Sequence, residues 1–169
     1  MLEHFFSPKT VAVVGASREE GKVGHDLFKN LVNHGYKGKV YPVNPHADNI
    51  LGIKTYTALK EIPDKIDLAV IVVPAPYVGK TIDECIEKGI DSVVVISAGF
   101  KESGIDGAAR ERELYQKIKQ HSIRMLGPNC LGLIDTQSAL NASFAADMPV
   151  PGNIAFFSQS GALCTSILD

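Results

Sequence analysis

The sequence predicts an α/β fold built on a doubly wound, mostly parallel sheet, and three observations carry that prediction. Short Val-rich runs alternate with amphipathic stretches along most of the chain, in the order β-α-β and then β-α-β-α-β. The run LAVIVV at residues 68–73 is apolar on both faces, as a strand covered from both sides must be. The first run stops at a glycine ahead of an amphipathic stretch, and such sheets place their ligands at the carboxyl ends of the strands.

Taken in order, residues 10–15 (TVAVVG) read as a strand. Val23, Leu27 and Leu31, four apart, mark the apolar stripe of a helix that starts near Gly24. A second strand at 39–43 closes at Asn44-Pro45, and 68–73 is the third. The helix expected at 81–88 puts Ile82, Cys85 and Ile86 on one face and stops at Gly89, a residue free to turn left-handed. Residues 92–96 (SVVVI) form another buried strand. The charged stretch 108–120, with Leu114 and Ile118 four apart, reads as a surface helix, and 124–126 is a short strand entering the turn Gly127-Pro128-Asn129. Residues 1–134 therefore read as one Rossmann-like domain. Residues 135–152 show no strong period and contain Pro149 and Pro151, which predicts a connector. Residues 153–157 (NIAFF) read as a fresh strand, and Ser158-Gln159-Ser160-Gly161 opens a helix to 169. A lone βα unit of this kind begins a second domain, cut short in a fragment, or else extends the first sheet.

The 169 residues suffice for one domain and part of another, and 45% hydrophobic with 21% charged residues excludes wholesale disorder. A net charge of −2 with no run of like charges argues against nucleic acid or an acidic membrane as partner. No apolar run is long enough to cross a bilayer, and Glu3 and His4 follow Met1 where a leader would be basic and then apolar, so a cytoplasmic location is expected. Cys85, Cys130 and Cys164 are far apart with no CxxC pair, so they read as buried thiols rather than disulfide or zinc ligands. His4, His25, His34, His46 and His121 lack metal-ligand spacing and read as surface or loop residues; no metal site is expected.

The chemistry concentrates in the loop from Gly15 to Gly24 (GASREEGKVG), between strand and helix. Backbone N–H groups and the helix dipole favour a phosphate there, with small residues at 15 and 17 permitting close approach; a bare tight turn is the other reading. Ser17 stands where the dinucleotide fingerprint G-x-G-x-x-G has its second glycine, and the next glycines, Gly21 and Gly24, come late. Gly21-Lys22 lacks the Ser or Thr with which a Walker loop holds magnesium, and no G-x-S-x-G elbow occurs. At the end of the second strand an NAD-binding chain carries a carboxylate for the ribose. Here Asn44-Pro45 either tolerates a phosphorylated ribose or simply turns the chain.

FFSPKTVAVVGAS at 5–17, YPVNP at 41–45, DLAVIVVPAP at 67–76, ISAGF at 96–100, GPNCLG at 127–132 and FFSQSGAL at 156–163 follow one another through almost the whole chain. With these motifs the sequence strongly resembles the α part of the ADP-forming (NDP-forming) acetyl-CoA synthetases, and the α subunit of succinyl-CoA synthetase shares the outline. The resemblance implies a CoA-binding domain at 1–134, a connector at 135–152, and at 153–169 the start of a truncated succinyl-CoA-ligase-like domain of flavodoxin-like fold.

Coenzyme A is the substrate the resemblance implies. Gly15, Ser17, Gly21, Lys22, Val23 and Gly24 match the loop around its phosphates, and Asn44 and Pro45 the edge near the adenosine. Val73 and Pro74 match a wall for the nucleotide, Ser97, Ala98 and Gly99 the loop guiding the pantetheine arm, and Asn129 with Cys130 a turn near the domain junction. Cys130 also reads plainly as a buried thiol. Ser160 and Gly161 match a helix start that holds the phosphate of a phosphohistidine. The family reaction is acyl-CoA + ADP + phosphate ⇌ carboxylic acid + CoA + ATP, through an acyl phosphate. Its histidine lies farther along the second domain and matches none of the five here, so no catalytic residue is expected in this chain. The implied partners are the rest of the α part and an ATP-grasp domain or β subunit, which handle Mg2+ and ADP or ATP, in a homo- or hetero-oligomer. Two other readings stay open: a stand-alone CoA-binding regulatory protein, which has no need of SQSG at 158–161, and an NAD(H)-sensing domain, which calls for an acidic residue at 44.

Overall fold

A computed structural model describes residues 2–168. The single turn α1 (Glu3–Phe6) precedes β1 (Thr10–Val14), α2 (Val23–Asn33) and β2 (Lys39–Val43). A small hairpin, β3 (Asn49–Ile50) with β4 (Ile53–Lys54), leads to β5 (Leu68–Ile71). Then come α3 (Ala75–Lys88), β6 (Ser92–Val95), α4 (Ile105–Gln120) and β7 (Arg124–Leu126). A second hairpin, β8 (Gly132–Asp135) with β9 (Leu140–Ser143), and the helix α5 (Gly161–Leu168) complete the chain.

The central sheet has five strands in the order β2-β1-β5-β6-β7, all parallel. The order reverses between β1 and β5, which makes that gap the topological switch point. Side chains of period two sort the core into its two faces. Ala12, Val14, Ala69, Ile71, Val93 and Val95 meet α3 and α4, whereas Val11, Val13, Leu68, Val70 and Val94 meet α2 and the second hairpin. Leu27, Phe28 and Leu31 of α2 are fully buried on the latter face, each worth about 1.5–3 kcal/mol.

The strands at 10–15, 39–43, 68–73, 92–96 and 124–126 form within one or two residues of their expected bounds. Gly89 ends α3 in the left-handed region at φ 74°, where the Ile90 and Gly89 N–H groups bond to Cys85 and Ile86 carbonyls. Both later helices begin earlier than expected. α3 starts at Ala75, six residues ahead, because Pro76 sits in the first turn, where its missing N–H is not needed. α4 starts at Ile105, with Gly107 buried so close beneath Phe100 that no side chain fits there.

Two expectations fail. The connector expected at 135–152 contains β9, whose Leu140 and Ala142 are fully buried against α2, so the second hairpin covers the sheet where a helix would otherwise lie. The strand expected at 153–157 does not form: all five residues are exposed, and among the described residues no strand lies beside them to complete a backbone ladder. The helix after them does form, as α5.

Candidate ligand-binding cleft

The loop after β1 and the loop after β5 meet at the switch point. Gly15 has φ 95° and lies so close to the backbone of Val72 that an added Cβ would come within 2.9 Å of its carbonyl carbon. Gly24, in the first turn of α2, faces the Gly15 carbonyl, and a Cβ there would fall well inside 3.0 Å of that oxygen. The helix start is thereby pressed against the glycine loop. Lys22 at the N-cap makes no side-chain cap, and among the described residues the N–H groups of Val23 and Gly24 have no hydrogen-bond partner. The positive end of α2 is therefore open.

The loop itself is held from within. Ser17 Oγ accepts the Glu19 N–H at 3.0 Å, and His25 Nδ1 lies 3.1 Å from the Ser17 carbonyl oxygen. His25, expected at the surface or in a loop, is 6% exposed on α2, because its ring anchors the loop from the helix face behind it. The Asn44 side chain donates to the Ala16 carbonyl at 2.8 Å and accepts the His46 N–H at 2.8 Å. It thus both turns the chain after β2 and ties that turn to the glycine loop.

A cleft of about 770 Å³ opens beside this loop, along the carboxyl ends of β5, β6 and β7. Of the residues singled out in the sequence, Val23, Val73, Pro74, Ser97, Ala98, Asn129 and Gly161 line it. Gly15, Ser17, Gly21, Lys22, Gly24, Asn44, Pro45, Gly99 and Ser160 lie outside its wall. Gly21 (φ 78°) and Lys22 are exposed, the latter 3.9 Å from Glu19. Pro45 is exposed beyond β2. Gly99, at φ 103°, stands behind the cleft: Glu102 accepts its N–H at 2.5 Å and Arg110 donates to its carbonyl. The Glu102 carboxyl is held below its ordinary value chiefly by that Gly99 N–H. Ser97 Oγ donates to the Val73 carbonyl at 2.5 Å, joining the β5 and β6 loops, and Asn129, at φ 54°, donates its N–H to the Ser97 carbonyl at 3.0 Å. Ser160 Oγ accepts the Leu163 N–H at 3.3 Å and so caps α5.

Cys130, Leu131 and Phe144 also line the cleft. Burial pushes the Cys130 thiol up to about 11, so it is protonated at neutral pH, with Sγ 3.4 Å from the Val95 carbonyl oxygen. Phe144 went unnoticed in the sequence because it follows a strand that has no visible period. Among the described residues no group of three His, Cys, Asp or Glu side chains is placed to hold a metal ion.

Parallel strands in this order, a glycine loop pressed on a helix start and a cleft at the strand ends define a Rossmann-like α/β domain. Residues 9–136 match the family described as CoA binding domain, and the chain belongs to that family. It is 50% identical, over 99% of its length, to acetate–CoA ligase [ADP-forming] I of Archaeoglobus fulgidus, spanning 24% of that protein. It is 46% identical over 99% of its length to the α subunit of acetate–CoA ligase [ADP-forming] II of Pyrococcus furiosus, spanning 36% of it. The chain thus covers about a quarter to a third of these curated relatives. Among solved structures, the dinucleotide forming acetyl-coenzyme A synthetase 1 of Ca. Korarchaeum cryptofilum, in complex with phosphate and ADP, superposes with a TM-score of 0.93 at 44% identity, covering 99% of this chain and 36% of that one.

Proposed function

We propose that this chain is the CoA-binding part of an ADP-forming acyl-CoA synthetase, an enzyme that converts acyl-CoA, ADP and phosphate to a carboxylic acid, CoA and ATP. The observation that carries the reading is the open start of α2, held by the Gly15–Gly24 contact where the uncharged cleft begins. Backbone N–H donors at a helix start suit a diphosphate. Val23 and Gly24 receive it there, with Gly15, Ser17, Gly21 and Lys22 shaping the loop. Asn44 and Pro45 border the adenosine, on the β2 side of the switch point. Val73 and Pro74 pack against the nucleotide, and Ser97, Ala98, Gly99 and Asn129 direct the arm toward α5. Ser160 and Gly161 at the start of α5 serve a phosphate in the whole protein.

In this reading the remainder of the protein supplies the phosphorylated histidine and the domain that handles Mg2+ and ADP or ATP, either fused or as a partner subunit, in the cytoplasm. The buried residues of β9 and Ala145 support ending the CoA domain after 145 rather than at 134, with 146–152 as the connector. The names of the Archaeoglobus and Pyrococcus relatives support the same chemistry. Calorimetry of the 169-residue chain with CoA, dephospho-CoA and NAD tests the proposal. CoA binds at about micromolar strength, roughly 8 kcal/mol, and more tightly than the other two. Equal or tighter NAD binding refutes it.

A further inference from the structure

One residue at the cleft is held in place by a buried polar device. Asn30 of α2 is 6% exposed, and its amide donates to the Ser143 carbonyl at 2.9 Å and to the Ala145 carbonyl at 2.7 Å. Both hydrogens of one buried amide are thus committed to the two carbonyls that flank Phe144. Ser143 Oγ adds a 2.6 Å bond to the fully buried Asn141 and accepts the Ala145 N–H at 3.2 Å. Ser143 and Ala145 are buried, while Phe144 between them is 40% exposed and lines the cleft. Leaving part of a phenyl ring in water forgoes burial energy, and a satisfied buried network fixes the backbone that imposes it.

The cleft around the ring has two properties that identify what it receives. Among the described residues no charged side chain lines it, and away from the helix starts at Val23 and Gly161 its wall carries Ile96, Leu131 and Phe144, so this stretch suits an uncharged chain rather than a phosphate. It also lies along the ends of β5, β6 and β7, on the opposite side of the switch point from β2 and Asn44. From these observations we propose that Phe144 is a ligand-binding residue whose ring, with Leu131, packs on the uncharged amide-and-methylene arm of CoA and leaves the nucleotide untouched. The inference rests on the CoA reading above and adds to it the residue that reads the arm.

The experiment compares CoA with adenosine 3′-phosphate 5′-diphosphate, the nucleotide without the arm, by calorimetry on wild type, Phe144→Ser and Phe144→Leu. Thermal melts accompany the titrations, so that any loss of stability at 144, whose ring is 40% exposed, is read separately from the loss of affinity. The expected result is a CoA affinity about tenfold weaker in Phe144→Ser, recovered in large part by Phe144→Leu, with nucleotide affinity the same in all three. Unchanged CoA affinity, or an equal loss for both ligands, overturns the inference. So does a wild type that binds CoA no more tightly than the nucleotide, a result that leaves the CoA reading standing. Failure of wild type to bind either ligand overturns the CoA reading itself.

Discussion

Gly24→Ala is the sharpest probe of how the loop is built. The position has an ordinary helical backbone, so alanine raises intrinsic helix propensity by about 1 kcal/mol and on local grounds stabilises the protein. The packing says otherwise. The new methyl group falls well inside 3.0 Å of the Gly15 carbonyl oxygen and close to the Ala16 backbone, so helix and loop must part by more than an ångström. Both obstacles are backbone atoms that no rotamer change can remove, and Gly15 is itself lodged against Val72. The cost belongs at the upper end of overpacking, about 3 kcal/mol, and exceeds the propensity gain. A net loss of about 2 kcal/mol lowers the melting temperature of a chain this size by roughly 4–8 °C. Calorimetric melting and urea titration measure it. Because the same displacement moves the open N–H groups of α2, CoA affinity falls at least about tenfold in the folded variant. A Gly24→Ala protein that melts with wild type and binds CoA equally well refutes the account of this contact.

Gly79 lies inside α3 with nothing within 4 Å of an added Cβ, so Gly79→Ala raises stability by about 0.5–1 kcal/mol in urea unfolding. Leu51 and Gly52 turn the first hairpin with φ 50° and 77°, a two-residue connection that favours Asn at its first position; Leu51→Asn stabilises by about 0.5–1 kcal/mol in the same assay. Hydrogen bonds from Lys39 and Tyr41 hold the Asp64 carboxyl below its ordinary 3.8. Its folded value lies under its unfolded one, so the stability it contributes is present above pH 3.8 and is lost as pH falls through the folded value; Asp64→Asn gives a shallower acid limb in stability measured against pH.

The parallel sheet was legible because its strands are buried on both faces and read as unbroken Val and Ile runs. The second hairpin was not, since β9 buries Asn141 and Ser143 beside Leu140 and Ala142, and buried polar residues look like loop until Asn30 is seen to satisfy the backbone at its end. NIAFF at 153–157 has strand composition, yet a strand needs a neighbour as well as a composition. At the cleft, local signals exposed the glycine loop and the ends of β5 and β6. Phe144 and His25 owe their positions to contacts far along the chain or behind the loop, which spacing does not report.

Helix α2 bears on both margins of the cleft: its first residues, Val23 and Gly24, press on the glycine loop, and Asn30 grips the segment that carries Phe144. Seven residues of α-helix rise about 10 Å, and a rod of that length does not stretch. The helix is a ruler laid beneath the cleft, its two marks set by residue count alone. Adding or deleting one residue between them would swing the second mark about 100° around the axis, so the interval is inherited whole or lost.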